Sequence, residues 1–131
     1  MLHYLTLGSS DIGRSGRFYD PVLGALGIAR FKTLDYEIGY AAGGRGDDES
    51  VLRIWVVKPF DEKPASAGNG SMLAFSAPSR AAVADFHRLA LANGGSDEGK
   101  PGPRPYSDNF YACYIRDPDG NKLSAVCRKP E

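Results

Sequence analysis

The sequence predicts an α+β fold built from two copies of a βαβββ unit. Three observations predict it. Twice a short apolar strand runs through a capping residue into an amphipathic helix, and each helix is followed by material for three strands. A stretch rich in Pro, Gly, Ser and Ala separates the copies. The 131 residues suffice for one domain with its own core, read as module one over 1–57, a linker over 58–70 and module two over 71–131.

The first element is the alternating strand at residues 4–7, which ends in Gly8-Ser9-Ser10-Asp11. Ser9, Ser10 or Asp11 can cap a helix by accepting a bond from one of its free N–H groups. Ile12, Tyr19, Val22, Leu23 and Leu26 then recur at helical spacing, and Gly24 and Gly27 supply a stop. Pro21 lies inside this pattern without an N–H to donate, which predicts a kink or a break. Strands are expected near residues 28–33, 36–42 and 51–57.

The second copy repeats this grammar. A strand at 72–76 leads into Ala77-Pro78-Ser79, with Ser79 as the N-cap of a helix over 80–92. Val83, Phe86, Leu89 and Ala90 share one side of that helix, and Asn93-Gly94-Gly95 ends it. A short strand near 96–98 and strands near 111–116 and 122–126 follow. Asp117-Pro118-Asp119-Gly120-Asn121 is a turn: Pro presets φ, Gly accepts a positive φ, and the Asp and Asn side chains bond the turn backbone. Residues 43–50 and 99–109 are expected as loops over whatever cavity the sheets enclose.

Composition narrows the function classes. Sixteen basic residues balance sixteen acidic ones with no basic run, so nucleic acid is not expected as a partner. No apolar stretch approaches the ~20 residues that cross a bilayer, and Met1 to Leu7 does not read as a signal peptide, so no membrane partner and a cytoplasmic location are expected. The two cysteines, Cys113 and Cys127, are expected as reduced, buried thiols on either side of the last turn.

The runs Leu7-Gly8-Ser9-Ser10-Asp11, Phe18-Tyr19-Asp20-Pro21-Val22-Leu23 and Leu26-Gly27 resemble the opening of a glyoxalase/bleomycin-resistance/dioxygenase domain. Gly70-Ser71-Met72-Leu73-Ala74-Phe75, Ser79-Arg80-Ala81-Ala82-Val83 and Phe86-His87 resemble its second half, and Asp117-Pro118-Asp119-Gly120-Asn121-Lys122-Leu123 its most specific piece. The resemblance covers nearly the whole chain. It implies paired βαβββ modules (the vicinal oxygen chelate fold) whose curled mixed sheets surround a concave pocket, with the helices outside. It also implies pairing into a homodimer. Members include metal-dependent lyases and isomerases, dioxygenases, antibiotic-modifying enzymes and drug-sequestering proteins, so the fold alone leaves the reaction open.

Catalytic members hold a divalent metal with His and Glu. The positions that match are Tyr4 on the first strand, Met72 before the second module's first strand, and Ser124 beyond the last turn. Tyr, Met and Ser do not make a Zn²⁺, Ni²⁺, Mn²⁺ or Fe²⁺ site, because such metals take imidazole, carboxylate or thiolate. No metal and no other cofactor are expected. His3 is one residue out of register with the ligand position, which on a strand means the opposite face. His87 belongs to a helix surface.

Alternation then assigns the pocket. With Leu5, Leu7, Leu73 and Phe75 facing the helices, Tyr4, Thr6, Met72, Ala74 and Ser76 face the concavity. Arg53 and Trp55 oppose Leu52, Ile54 and Val56, and Ser124 and Val126 oppose Leu123 and Ala125. Arg104, Tyr106 and Tyr111 are expected at a lid or rim. The expected function is binding of a small aromatic or apolar organic molecule by Tyr4, Thr6, Arg53, Trp55, Met72, Arg104, Tyr106, Tyr111 and Ser124. Two alternatives stand beside it: a metal-dependent lyase or dioxygenase with displaced ligands, and a non-catalytic interaction protein.

Overall fold

Local capping chemistry sets both helices in the computed structural model, which describes residues 1–131. Of the three capping candidates, Asp11 takes the extended backbone of an N-cap and its carboxylate accepts from Arg14 N at 3.0 Å. Ser9 serves one step back, its hydroxyl accepting from Asp11 N. The helix α1 (Ile12–Gly24) continues through Pro21. A proline removes one rung of the ladder, but this one sits in the last turn, and Phe18, Tyr19, Val22 and Leu23 around it are completely buried. In the second module Ser79 caps α2 (Arg80–Ala92), accepting from Ala82 N at 3.0 Å.

Eight strands form two four-stranded mixed sheets that do not close on each other. Sheet A orders β1 (Tyr4–Gly8), β4 (Arg53–Val57), β3 (Glu37–Ala42) and β2 (Ile28–Thr33). Sheet B repeats the plan with β5 (Leu73–Ser76), β8 (Lys122–Cys127), β7 (Tyr111–Arg116) and β6 (Ser96–Pro103). In each sheet the first and last strands of the module pair in parallel, and the remaining pairs are antiparallel. The chain is thus α+β with two βαβββ modules, as expected.

Strand β6 is longer than expected, running to Pro103 through what read as a loop. Its Gly99, Pro101, Gly102 and Pro103 argue locally against a strand, but it is an edge strand with register shifts at 97–99 and 99–102. An edge tolerates proline because one side of its ladder needs no donor.

Register sorts the side chains of each sheet. Leu5, Leu7, Ile54, Val56, Ile38 and Tyr40 point toward α1, and Leu73, Phe75, Leu123, Ala125, Cys113 and Ile115 toward α2. These faces and the two helices share one cluster of 18 buried residues, with α1 and α2 in contact. No strand of one sheet contacts a strand of the other. The helices therefore cover the outer faces of the sheets, and each sheet keeps an opposite, open face. Cys113 and Cys127 are both free and buried. No helix is long and apolar enough to cross a membrane.

The modules are joined by the turn that was the sharpest signal in the sequence. Asp117 is 4 % exposed; its carboxylate accepts from Asp119 N, Asn121 N and Asn121 Nδ2 within the turn, and from the Tyr19 hydroxyl of α1 at 2.5 Å. Gly120 takes φ 91, which only glycine adopts freely. Asp119 accepts from Ser10 N and pairs with Arg14 at 2.7 Å, and Asn121 Nδ2 donates to Gly8 O. Residues 58–70 run back over this joint, with Ala65 N bonded to Ser10 Oγ.

Candidate functional site

On sheet A the open face carries Tyr4, Thr6, Arg53 and Trp55, as alternation predicts, because Tyr4 pairs with Arg53 and Thr6 with Trp55. Tyr4 is 55 % exposed. Trp55 packs edge-to-face on Phe31, with ring centroids 5.3 Å apart. Gly39 makes this possible: a Cβ there would stand 2.6 Å from Trp55 Cζ3 and 2.9 Å from Phe31 Cζ. Phe31 escaped the sequence reading because it sits at a register shift between Arg30 and Lys32, where the simple alternation of faces fails.

Arg53 lies on this face but is 8 % exposed. Its Nε donates to Gly46 O at 2.7 Å, one Nη reaches Glu49 at 3.1 Å, and the other lies 3.4 Å from His3 Nε2. The guanidinium thus ties the 43–50 loop to the sheet, with each of its three nitrogens in contact.

On sheet B the open face carries Ala74, Ser124 and Tyr114 in one row and Lys122 with Arg116 in the next. Ser124 is completely buried and its hydroxyl has no hydrogen-bond partner. Tyr114 was not expected here, although its pairing with Ser124 puts the two on one face. Arg104 Cζ lies 5.4 Å and Lys122 Nζ 5.8 Å from the centre of its ring. Tyr106 is 70 % exposed at the rim and stacks edge-to-face on Phe110.

Tyr111 requires a correction. It points to the helix side, packed against the core with Arg80 4.9 Å from its ring centre. Its register with Cys127, whose side chain is buried in that core, fixes the face. Tyr111 opens β7 as expected of the 111–116 strand, but on its helix-facing side, so it does not stand at the rim.

A cleft of about 480 Å³ runs between the edges of the two sheets, lined by Leu5, Thr6 and Leu7 of β1, by Met72, Leu73 and Lys122, and by the end of the linker. It is of ligand size. Thr6, Met72 and Lys122 bring both open faces to it, and Met72 is 43 % exposed. A larger cleft of about 690 Å³ lies between Ser9, Tyr36 and the 58–64 segment and contains none of the expected site residues.

The residues at the family's metal positions do not fit a divalent metal. Tyr4, Met72 and Ser124 offer a phenol, a thioether and a hydroxyl, which are poor donors for such ions. No three His, Cys, Asp or Glu side chains gather as a metal site. His3 lies against Arg53, and His87 binds Asp97 at 2.7 Å between α2 and β6, holding the Asp97 carboxyl below its ordinary range.

A family model described as Glyoxalase/Bleomycin resistance protein/Dioxygenase superfamily matches residues 1–124. Among solved structures, a glyoxalase/bleomycin resistance protein from Albidiferax ferrireducens T118 is 35% identical, with 98% of this chain and 99% of that chain covered and a TM-score of 0.85. A glyoxalase-related enzyme from Fulvimarina pelagi is 25% identical, with 97% and 87% covered and a TM-score of 0.72. The fosfomycin resistance protein FosX from Listeria monocytogenes shares the fold at 16% identity, with 98% and 93% covered and a TM-score of 0.68. No protein of curated function matches the chain by sequence.

Proposed function

The chain belongs to the glyoxalase/bleomycin resistance protein/dioxygenase superfamily, and from that premise we propose that it binds a small aromatic or apolar organic molecule without the divalent metal of the catalytic members. The supporting observation is the cleft between the sheet edges, lined by Thr6 and Met72, with Trp55 paired to Thr6 on the open face next to it. Leu5, Leu7, Met72 and Leu73 give the cleft apolar wall, and the aromatic side chains Tyr4 and Trp55 lie on the adjoining open face, a combination that suits such a ligand. The edge-to-face Phe31–Trp55 pair, packed over Gly39, adds aromatic surface to the open face of sheet A.

The open faces leave this site half enclosed, with Tyr4 and Met72 about half exposed. We propose that the chain works as a homodimer in which a second copy covers these faces, and sedimentation at micromolar concentration checks this.

Trp55 is the only tryptophan and lies on the open face beside the cleft, so its fluorescence is the probe. Titration with neutral aromatics such as 2-naphthamide is expected to change Trp55 emission saturably, and Met72→Lys is expected to weaken the response. Elemental analysis of untagged protein is expected to find no bound divalent metal after loading with Zn²⁺, Ni²⁺, Mn²⁺ or Fe²⁺. Near-stoichiometric metal would overturn the metal-free reading in favour of a lyase or dioxygenase. Absence of any saturable response across the aromatics would overturn the ligand reading.

A further inference from the structure

The open face of sheet B holds two cations that the fold leaves without counter-ions. Lys122 makes no ion pair, and neither does Arg104, whose two Nη groups donate to the backbone carbonyls of Lys100 at 2.7 Å and Pro103 at 3.2 Å. Both lie near the ring of Tyr114, at 5.8 Å and 5.4 Å from its centre. The third cation of the face, Arg116, is by contrast neutralised by Glu98 at 2.7 Å. Gathering like charges around one ring is unfavourable unless something offsets it, and cation–π attraction is worth only about 0.5–1 kcal/mol at exposed sites.

The arrangement is also built rather than incidental. At Gly99 a Cβ would stand 2.8 Å from Tyr114 Cδ2 and 3.4 Å from Arg104 Nη2, so the missing side chain is what lets ring and guanidinium approach. Beneath them Ser124, paired with Tyr114 and two residues from Lys122 on the same face, is fully buried with its hydroxyl unpartnered. A buried hydroxyl without a partner is costly, and the cost is removed when an acceptor reaches it. Lys122 also lines the cleft that holds Thr6 and Met72, so the charged patch continues the site.

Taking the small-molecule reading as given, we propose that the ligand carries an anionic oxygen group, a carboxylate or a phosphonate. It docks between Lys122 and Arg104 over Tyr114, while its organic body lies in the cleft toward Thr6 and Trp55. Two charge-assisted bonds to the oxyanion supply a charged anchor, which no lining residue of the cleft other than Lys122 offers.

The test compares 2-naphthoate and 1-naphthylphosphonate with the neutral 2-naphthamide on the full chain, by amide chemical-shift titration at low ionic strength. At least tenfold tighter binding of an anion is expected, with shifts centred on residues 99–104, 114 and 122–124. Lys122→Gln is expected to weaken the anions about tenfold more than it weakens 2-naphthamide, and Arg104→Gln to act in the same direction. Unperturbed amides elsewhere verify that each variant is folded. The carboxylate and phosphonate arms tell a singly from a doubly charged head group, and preference for either supports the proposal. Equal affinity for acid and amide, with Lys122→Gln silent, overturns it and leaves the neutral-aromatic reading standing. If no anion binds, the proposal fails, and the 2-naphthamide arm alone decides whether the broader reading fails with it.

Discussion

Replacing Tyr19 by phenylalanine removes one oxygen and tests whether the Asp117 turn locks the two modules together. The phenol is completely buried and donates to an Asp117 carboxylate that is itself 4 % exposed. A hydrogen bond to a charged group contributes about 1.5–3 kcal/mol. Asp117 keeps the backbone N–H groups of Asp119 and Asn121 and the Asn121 amide as donors. The carboxylate is therefore not stranded, and a loss of about 2 kcal/mol is expected rather than the upper figure. With an unfolding entropy of about 2.1 cal/mol/K per residue over 131 residues, this lowers Tm by about 7 °C.

The same variant carries a signature in pH. Burial first, and the Asp117 charge second, hold the Tyr19 phenol well above its ordinary value of 10.0. The folded state keeps this proton more tightly than the unfolded state does. Its stabilising contribution is therefore complete below the unfolded value and is lost as pH rises beyond it. Tyr19→Phe has no such proton, so its stability is expected to fall less steeply than the native protein's above about pH 10. Urea unfolding followed by circular dichroism, near neutrality and in alkali, measures both effects. A stability loss under about 0.5 kcal/mol, or an unchanged alkaline slope, would refute the assignment of this bond as the joint between modules.

Two further outcomes test the sheets. Gly39→Ala puts a methyl 2.6 Å from Trp55 Cζ3 and 2.9 Å from Phe31 Cζ, so one ring must move. A cost of about 1–3 kcal/mol and a shifted Trp55 emission maximum are expected, and an unchanged spectrum with unchanged stability would contradict the packing. Burial pushes the Cys113 thiol from 9.0 up to about 11, so near pH 8 its thiolate fraction is roughly 100-fold below that of an unshifted thiol. Ellman's reagent is expected to titrate the cysteines only on unfolding, and rapid labelling of the native protein would count against this burial.

Much of the fold was legible because its signals are local. Asp11 and Ser79 act as caps through atoms a few residues away, and the Asp117–Asn121 turn satisfies its own backbone with its own side chains. Strict alternation along β1, β4, β5 and β8 assigned the open faces without any knowledge of pairing. It also places Lys122 with Ser124, two residues away, though Lys122 was not singled out.

What the tertiary structure decided lies where neighbours in space override neighbours in sequence. A register shift turned Phe31 onto the open face, and an edge position made a strand of the Gly- and Pro-rich 96–103 segment. Pairing of Tyr111 with Cys127 sent that ring to the core and left Tyr114 to meet Lys122 and Arg104. Arg53 looked like a ligand anchor from its strand position, yet its donors go to Gly46, Glu49 and a histidine fifty residues earlier. Alternation tells which way a side chain points; only the assembled sheets tell what already waits there to satisfy it.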